Sequence, residues 1–199
     1  MKVNLQKAFT VVEMLVSVAI VSVIMATVLF GYSTFNDNLA IGAAGQEMAI
    51  AVRQAQTYGL TVKEVAVGGG DFSRAYGMYF DLNDPTNYYL FADINNDNKY
   101  TVGSGCGSGA TECIEKFILR NNIKITNICN SGTCPPSGVR VMNINFIRPN
   151  PDAAIYFVDG SGGFAAGPPA TLTGKVVLTS PKGTTQTVVV ESTGQVLVQ

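Results

Sequence analysis

Three groups of residues in this chain have types and spacings that could do chemistry. The first is a single acid, Glu13, set in an apolar run that follows a short head carrying Lys2 and Lys7. A carboxylate at mid-bilayer costs about 2.5–3.5 kcal/mol on insertion scales, and acids retained in such places are usually functional. Glu13 lies nearer the interface, where the cost is smaller but a partner is still needed. The second group is the order Asp93-Ile94-Asn95-Asn96-Asp97-Asn98-Lys99. Oxygen side chains at alternate positions can converge on one hard cation. Asp93, Asn95, Asp97 and the backbone carbonyl of Lys99 therefore form a candidate calcium set, with Asp81 or Asp84 as distant ligands. An EF-hand loop would also carry Gly at its sixth position and Glu at its twelfth, where this chain has Asn98 and Ser104. The competing reading is an Asx-rich turn between two strands. The third group is Cys106, Cys113, Cys129 and Cys134. Their spacings are too wide for the tight cysteine pairs that zinc prefers.

Composition excludes several classes of function. The chain has no histidine, which removes Ser/His/Asp and Cys/His catalysis together with the commonest zinc ligand. The acids are scattered, and no Ser or Cys sits in a recognisable nucleophile context, so an enzyme is not expected. The net charge is -1, without the basic surplus that nucleic acid would attract. Glycines at 68–70 lack the strand-loop-helix context of a phosphate cradle and read as a loop.

These residues are carried by two kinds of element. Residues 9–30 are apolar on every side and would span roughly 33 Å as a helix, about the thickness of a hydrocarbon core. The run is too apolar all round for a cytosolic core helix. It is also too long for a secretory signal, and Ile24-Met25-Ala26 puts a bulky residue where a cleavage site needs a small one. A plain single-span anchor, with Lys2 and Lys7 on the cytoplasmic side, fits the pattern but leaves Glu13 unexplained.

The stretch Lys7-Ala8-Phe9-Thr10-Val11-Val12-Glu13 resembles the processing site of type IV prepilins and type II secretion pseudopilins. The resemblance implies a leader over 1–8, a cut between Ala8 and Phe9, N-methylation of Phe9, and Glu13 as the assembly residue. The family usually has Gly before the cut, where this chain has Ala8. Glu13 would lie in the first helical turn, where a negative charge suits the helix dipole, and could pair with the new ammonium at Phe9 of a neighbouring subunit. The implied partners are other pilin or pseudopilin subunits, the prepilin peptidase and methylase, the inner-membrane assembly machinery, and lipid before assembly. The implied location is the inner membrane, single-pass, with the head outside the cytoplasm. No helix-breaking proline interrupts the apolar half, unlike many main-subunit pilins, and this favours a minor subunit.

Beyond the membrane segment (9–31), the helical pattern continues over 32–62. Ile41, Ala44, Met48, Val52, Ala55, Gly59 and Val62 form one stripe, and Gln46, Glu47, Arg53, Gln54 and Thr57 fall on the other side. Such a helix packs on a sheet. Gly31, Gly42 and Gly45 weaken it, each by up to ~1 kcal/mol relative to alanine, so a kink or melted turn is expected near Gly31. From 63 to 199 the period shifts towards 2, with strands expected over 75–80, 88–92, 115–119, 123–128, 141–147, 154–158, 175–179, 186–191 and 195–198. Ser192-Thr193-Gly194 joins the last two as a hairpin. The expected fold is α+β: one long helix, membrane-spanning in its first half and amphipathic in its second, packed on an antiparallel β-sheet head.

"MAIAVRQAQTYGLTVKEV" and "VVVESTGQVLVQ" are similar to the helix and closing hairpin of H-type pseudopilins and related minor pilins. Some of these bind DNA through arginines in the last hairpin. Here no Lys or Arg follows Lys182, so nucleic acid is not expected. In an extracytoplasmic head, oxidised cysteines are the default. Of three connectivities, the local pairs 106–113 and 129–134 are the simplest, and free buried thiols are the alternative. The rival to a filament subunit is a single-span binding or adhesion module that never polymerises. An exported hydrolase has no supporting residue.

Overall fold

The computed structural model describes residues 9–61, 74–103, 105–107, 111–131, 134, 138–167 and 173–199. A single helix, α1, runs over Val11–Leu60, 50 residues, or roughly 75 Å. Thr10 caps its start, and its side chain accepts the N–H of Glu13. At the other end Thr61 turns extended while its N–H still donates to the Thr57 carbonyl at 2.9 Å. The melted turn expected near Gly31 is absent, because the helix continues through that position without interruption. A lone glycine costs little when alanines, leucines and valines on either side sustain the hydrogen-bond ladder.

Ten strands follow: β1 (Tyr76–Asp81), β2 (Asn87–Ala92), β3 (Cys113–Ile118), β4 (Lys124–Cys129), β5 (Val139–Phe146), β6 (Ala153–Asp159), β7 (Phe164–Ala166), β8 (Thr173–Thr179), β9 (Thr185–Glu191) and β10 (Val196–Val198). They form two antiparallel sheets, a six-stranded one in the order β3-β2-β1-β5-β6-β7 and a four-stranded one in the order β10-β9-β8-β4. The expected antiparallel β head is thus built from two sheets. The chain enters the second sheet at β4, returns to the first for β5 to β7, and ends in the second. The short β7 has too little alternation to be read from sequence and pairs with β6 beyond a tight turn.

The C-terminal half of α1 packs on β1, β2 and β5 of the larger sheet and on β8, β9 and β10 of the smaller one. Ile41, Ala44, Met48, Val52, Ala55 and Gly59 are all buried, and Ala49 and Ala51 broaden the stripe. Val62 lies outside the described residues. From the sheets come Met78, Phe80, Leu90, Ile144, Phe146, Val188 and Val190. Small helix residues bring the backbones close: a Cβ at Gly59 would lie 2.7 Å from the Phe146 carbonyl oxygen. Polar bonds pin the helix at both ends of this contact. The Ser180 hydroxyl donates to Asp37 at 2.5 Å, and Gln56 Nε2 donates to the carbonyls of Pro151 at 2.9 Å and Gly194 at 3.3 Å. The last hairpin closes through Gly194 at φ 82°, a left-handed position that glycine takes without strain.

The other face of the larger sheet is partly covered as well. Tyr79, Phe91, Tyr100 and Cys113 form a second buried cluster there, flanked by Tyr89 and Val141. Both faces of β1 are therefore enclosed, which is why its burial is nearly continuous where a one-sided strand would alternate.

Candidate functional site

The N-terminal half of α1 makes no packing contact with the head. The apolar side chains from Val11 to Leu29 are exposed along this stretch, and the helix is long and apolar enough to cross a membrane. Its few hydroxyls are satisfied within the helix. Ser17 donates to the Glu13 carbonyl at 2.7 Å, Ser22 to Val18 at 2.7 Å and Thr27 to Ile24 at 2.8 Å. Such back-bonding leaves no hydroxyl needing water, as hydrocarbon requires.

Glu13 is the exception. It lies in the first turn, three residues after the cap, where the carboxylate meets the positive end of the helix dipole. Thr10 Oγ1 accepts the Glu13 N–H at 3.2 Å. No described residue bonds the carboxylate. Phe9 precedes the cap and is exposed. Ala8 and the leader lie outside the described residues. Thr-x-x-Glu ahead of an apolar run is the sequence signature of a capping box, of which the Thr10 half is formed.

The matching observation comes from this same segment. Residues 3–29 match the family described as the prokaryotic N-terminal methylation motif. The match supports a type IV pilin-like prepilin segment, a substrate of prepilin peptidase, and it fits a membrane-anchored single-pass protein. It covers Ala8, Phe9 and Glu13 and stops before the head. No curated protein and no solved structure matches the chain.

In the head, the acidic loop after β2 is closed by its own hydrogen bonds. Asp93 is buried at 1 % exposure. Its two oxygens accept the N–H groups of Asp97 at 3.1 Å and Asn98 at 2.9 Å. Asn95 Oδ1 accepts the Asp97 N–H at 3.1 Å, and Asp97 Oδ1 accepts the Lys99 N–H at 2.8 Å. Asn96 and Asn98 take positive φ, 59° and 61°, which asparagine tolerates better than most residues. Burial pushes the Asp93 carboxyl above the ordinary carboxylate range, and the N–H groups of Asn98 and Asp97 pull it back in part. The oxygens are thus turned onto the chain's own amides. The Lys99 ammonium reaches away to the Gly162 carbonyl at 2.6 Å and over the Phe164 ring. Asp81 and Asp84 bond to Tyr79 and Tyr89. Among the described residues no group of three or more His, Cys, Asp or Glu is placed to hold a metal ion.

Cys106 is bonded to Cys113 and Cys129 to Cys134, with Cα atoms 4.6 and 4.4 Å apart. The first bridge ties the loop before β3 onto the edge of the larger sheet. The second closes the end of β4. Among the described residues no cysteine is free.

Proposed function

We propose that this chain is a structural subunit, and a minor one, of a type IV pilus or a type II secretion pseudopilus. The helix with a long, bare apolar half, beginning at a matched methylation motif, is the observation that supports this reading. In the bilayer, lipid covers the exposed half and the head stays outside the cytoplasm. After the leader is removed, the same surface becomes the packing face of a filament core, bundled with the helices of other pilin or pseudopilin subunits. The role is mechanical: the docked half of α1 transmits the position of the core to the head. The second half of the helix and the closing hairpin resemble those of H-type pseudopilins, and nothing in the sequence calls for catalysis.

Processing separates this reading from a plain anchored binding module. Protein purified from the membrane of its native host should have a mature chain beginning at N-methyl-Phe9 by intact-mass and N-terminal peptide analysis. A chain retaining Met1 and the leader would support the anchor instead.

A further inference from the structure

The outer face of the larger sheet, away from α1, carries a groove that the filament role does not use. It has two lobes that meet at Tyr79 and Tyr100. The first, about 370 Å³, is walled by Tyr79, Tyr89 and Tyr100, with Asp81, Asp84 and Lys116 at its rim. The second, about 310 Å³, holds Asn83, Asn143, Arg140, Lys99 and Asp159. Each volume is in the range of small-ligand sites, and an apolar wall with a few converging polar groups is their usual make-up.

The polar groups are held in place before any ligand arrives. Asp81 accepts the Tyr79 hydroxyl at 3.0 Å and the Asn83 N–H at 2.8 Å. Asp84 accepts the Tyr89 hydroxyl at 2.7 Å and Asn87 Nδ2 at 2.6 Å. Arg140 Nη1 donates to Asn83 Oδ1 at 3.3 Å. Each oxygen of Asp81 and Asp84 accepts one of these bonds, and a carboxylate oxygen can accept two. The three rings brace one another, with Tyr89 and Tyr100 stacked at 5.5 Å and Tyr79 tilted against Tyr100 at 4.8 Å. A fixed site of this kind loses little entropy on binding.

We infer that this groove binds a neutral oligosaccharide, with one sugar ring against the partly exposed Tyr89 and vicinal hydroxyls bridging the planar groups of Asp81, Asp84, Asn83 and Arg140. The chemistry selects this class. Carboxylate, carboxamide and guanidinium each offer two coplanar polar atoms at a spacing that suits neighbouring hydroxyls. Tyr79 and Tyr100 are buried and back the partly exposed Tyr89, whose apolar ring surface suits the C–H face of a pyranose. Three acids (Asp81, Asp84, Asp159) are balanced by three bases (Lys99, Lys116, Arg140) across the lobes, so neither a polyanion nor a polycation is favoured. This inference does not depend on polymerisation.

The chain has no tryptophan, so its near-ultraviolet fluorescence comes from its eight tyrosines, three of which line the groove. The detergent-solubilised full chain is titrated with cellotetraose, maltotetraose and chitotetraose, with isothermal calorimetry alongside. At least one should give a saturable fluorescence change with measurable heat. Asp84→Asn should weaken it by about tenfold, from the lost charge-assisted hydrogen bond. Arg140→Ala, at an exposed position where folding is not at stake, should weaken the same sugar. Absence of saturable binding by all three, or binding unchanged in both variants, overturns the inference.

Discussion

The backbone N–H of Glu13 donates to the Thr10 hydroxyl oxygen at 3.2 Å. The bond closes the first turn of α1 with the main chain of Glu13, so the carboxylate is not consumed in capping. Two functions that could compete for one residue are therefore separable. The cap depends on Thr10, and the charge of Glu13 remains available to a partner outside the subunit. Among the described residues the Glu13 carboxylate has no bonding partner, and an acid in a membrane segment is costly enough to need one.

The close approach of α1 to β5 predicts the sign of a substitution that helix propensity alone would get wrong. Gly59→Ala should gain up to about 1 kcal/mol of helix propensity. The added methyl would meet the Phe146 backbone, and overpacking of this kind costs about 1–3 kcal/mol. The expected net effect is destabilisation, read as a lower urea midpoint with an unchanged slope. A raised midpoint would mean that the helix end is free to shift off the sheet.

The acidic loop should behave as a hydrogen-bonded turn. Asp93→Ala leaves the Asn98 N–H without its acceptor, while the Asp97 N–H keeps Asn95 Oδ1, and should cost about 1–3 kcal/mol for the one orphaned amide. Calcium at millimolar concentration should leave the Tm of the wild-type protein unchanged. A calcium-dependent rise in Tm that disappears in Asp93→Ala with Asp97→Ala would instead assign a cation to the loop.

Alkaline pH should destabilise the head through its tyrosines. Burial, first among the causes, pushes the phenols of Tyr79, Tyr88, Tyr89, Tyr100 and Tyr156 above their ordinary value. The folded state then keeps protons that the unfolded state releases from about pH 10 upward. Stability from this source is complete below that pH and falls as pH rises through it. The urea midpoint should drop between about pH 8 and about pH 11, and phenolate absorbance from these residues should appear with unfolding. Full tyrosine titration at the ordinary value with the fold intact would contradict the assignment.

Much of the fold was legible because its signals are local. The apolar run, the stripe from Ile41 to Gly59 and the hairpin at Gly194 each follow from periodicity or turn chemistry over a few residues. The division into two sheets was not, because it depends on β4 pairing with β8 across the intervening strands, and nothing in either strand's own sequence specifies that partner. The groove was hidden for a related reason. Tyr79, Tyr89 and Tyr100 lie on β1, on β2 and in a loop, and only the antiparallel register that sets Tyr79 opposite Tyr89 brings them together. At the N-terminus, Glu13 was conspicuous by its charge, whereas the capping by Thr10 depends on a main-chain bond that only the folded helix start makes.

The most direct test of assembly through the N-terminal helix uses the Glu13 carboxylate, which no other described residue bonds. Glu13→Ala keeps the main-chain bond to Thr10 and the junction at Ala8 and Phe9, and Glu13→Gln keeps the side-chain length while removing the charge. Each variant is expressed in the native assembly background, and membrane and sheared-filament fractions are blotted separately. The account predicts mature-length protein in the membrane for both and little or none in filaments, because a charged partner such as the Phe9 ammonium of a neighbour gains most from pairing in a low-dielectric bundle. Entry of both variants into filaments at the wild-type level would contradict it.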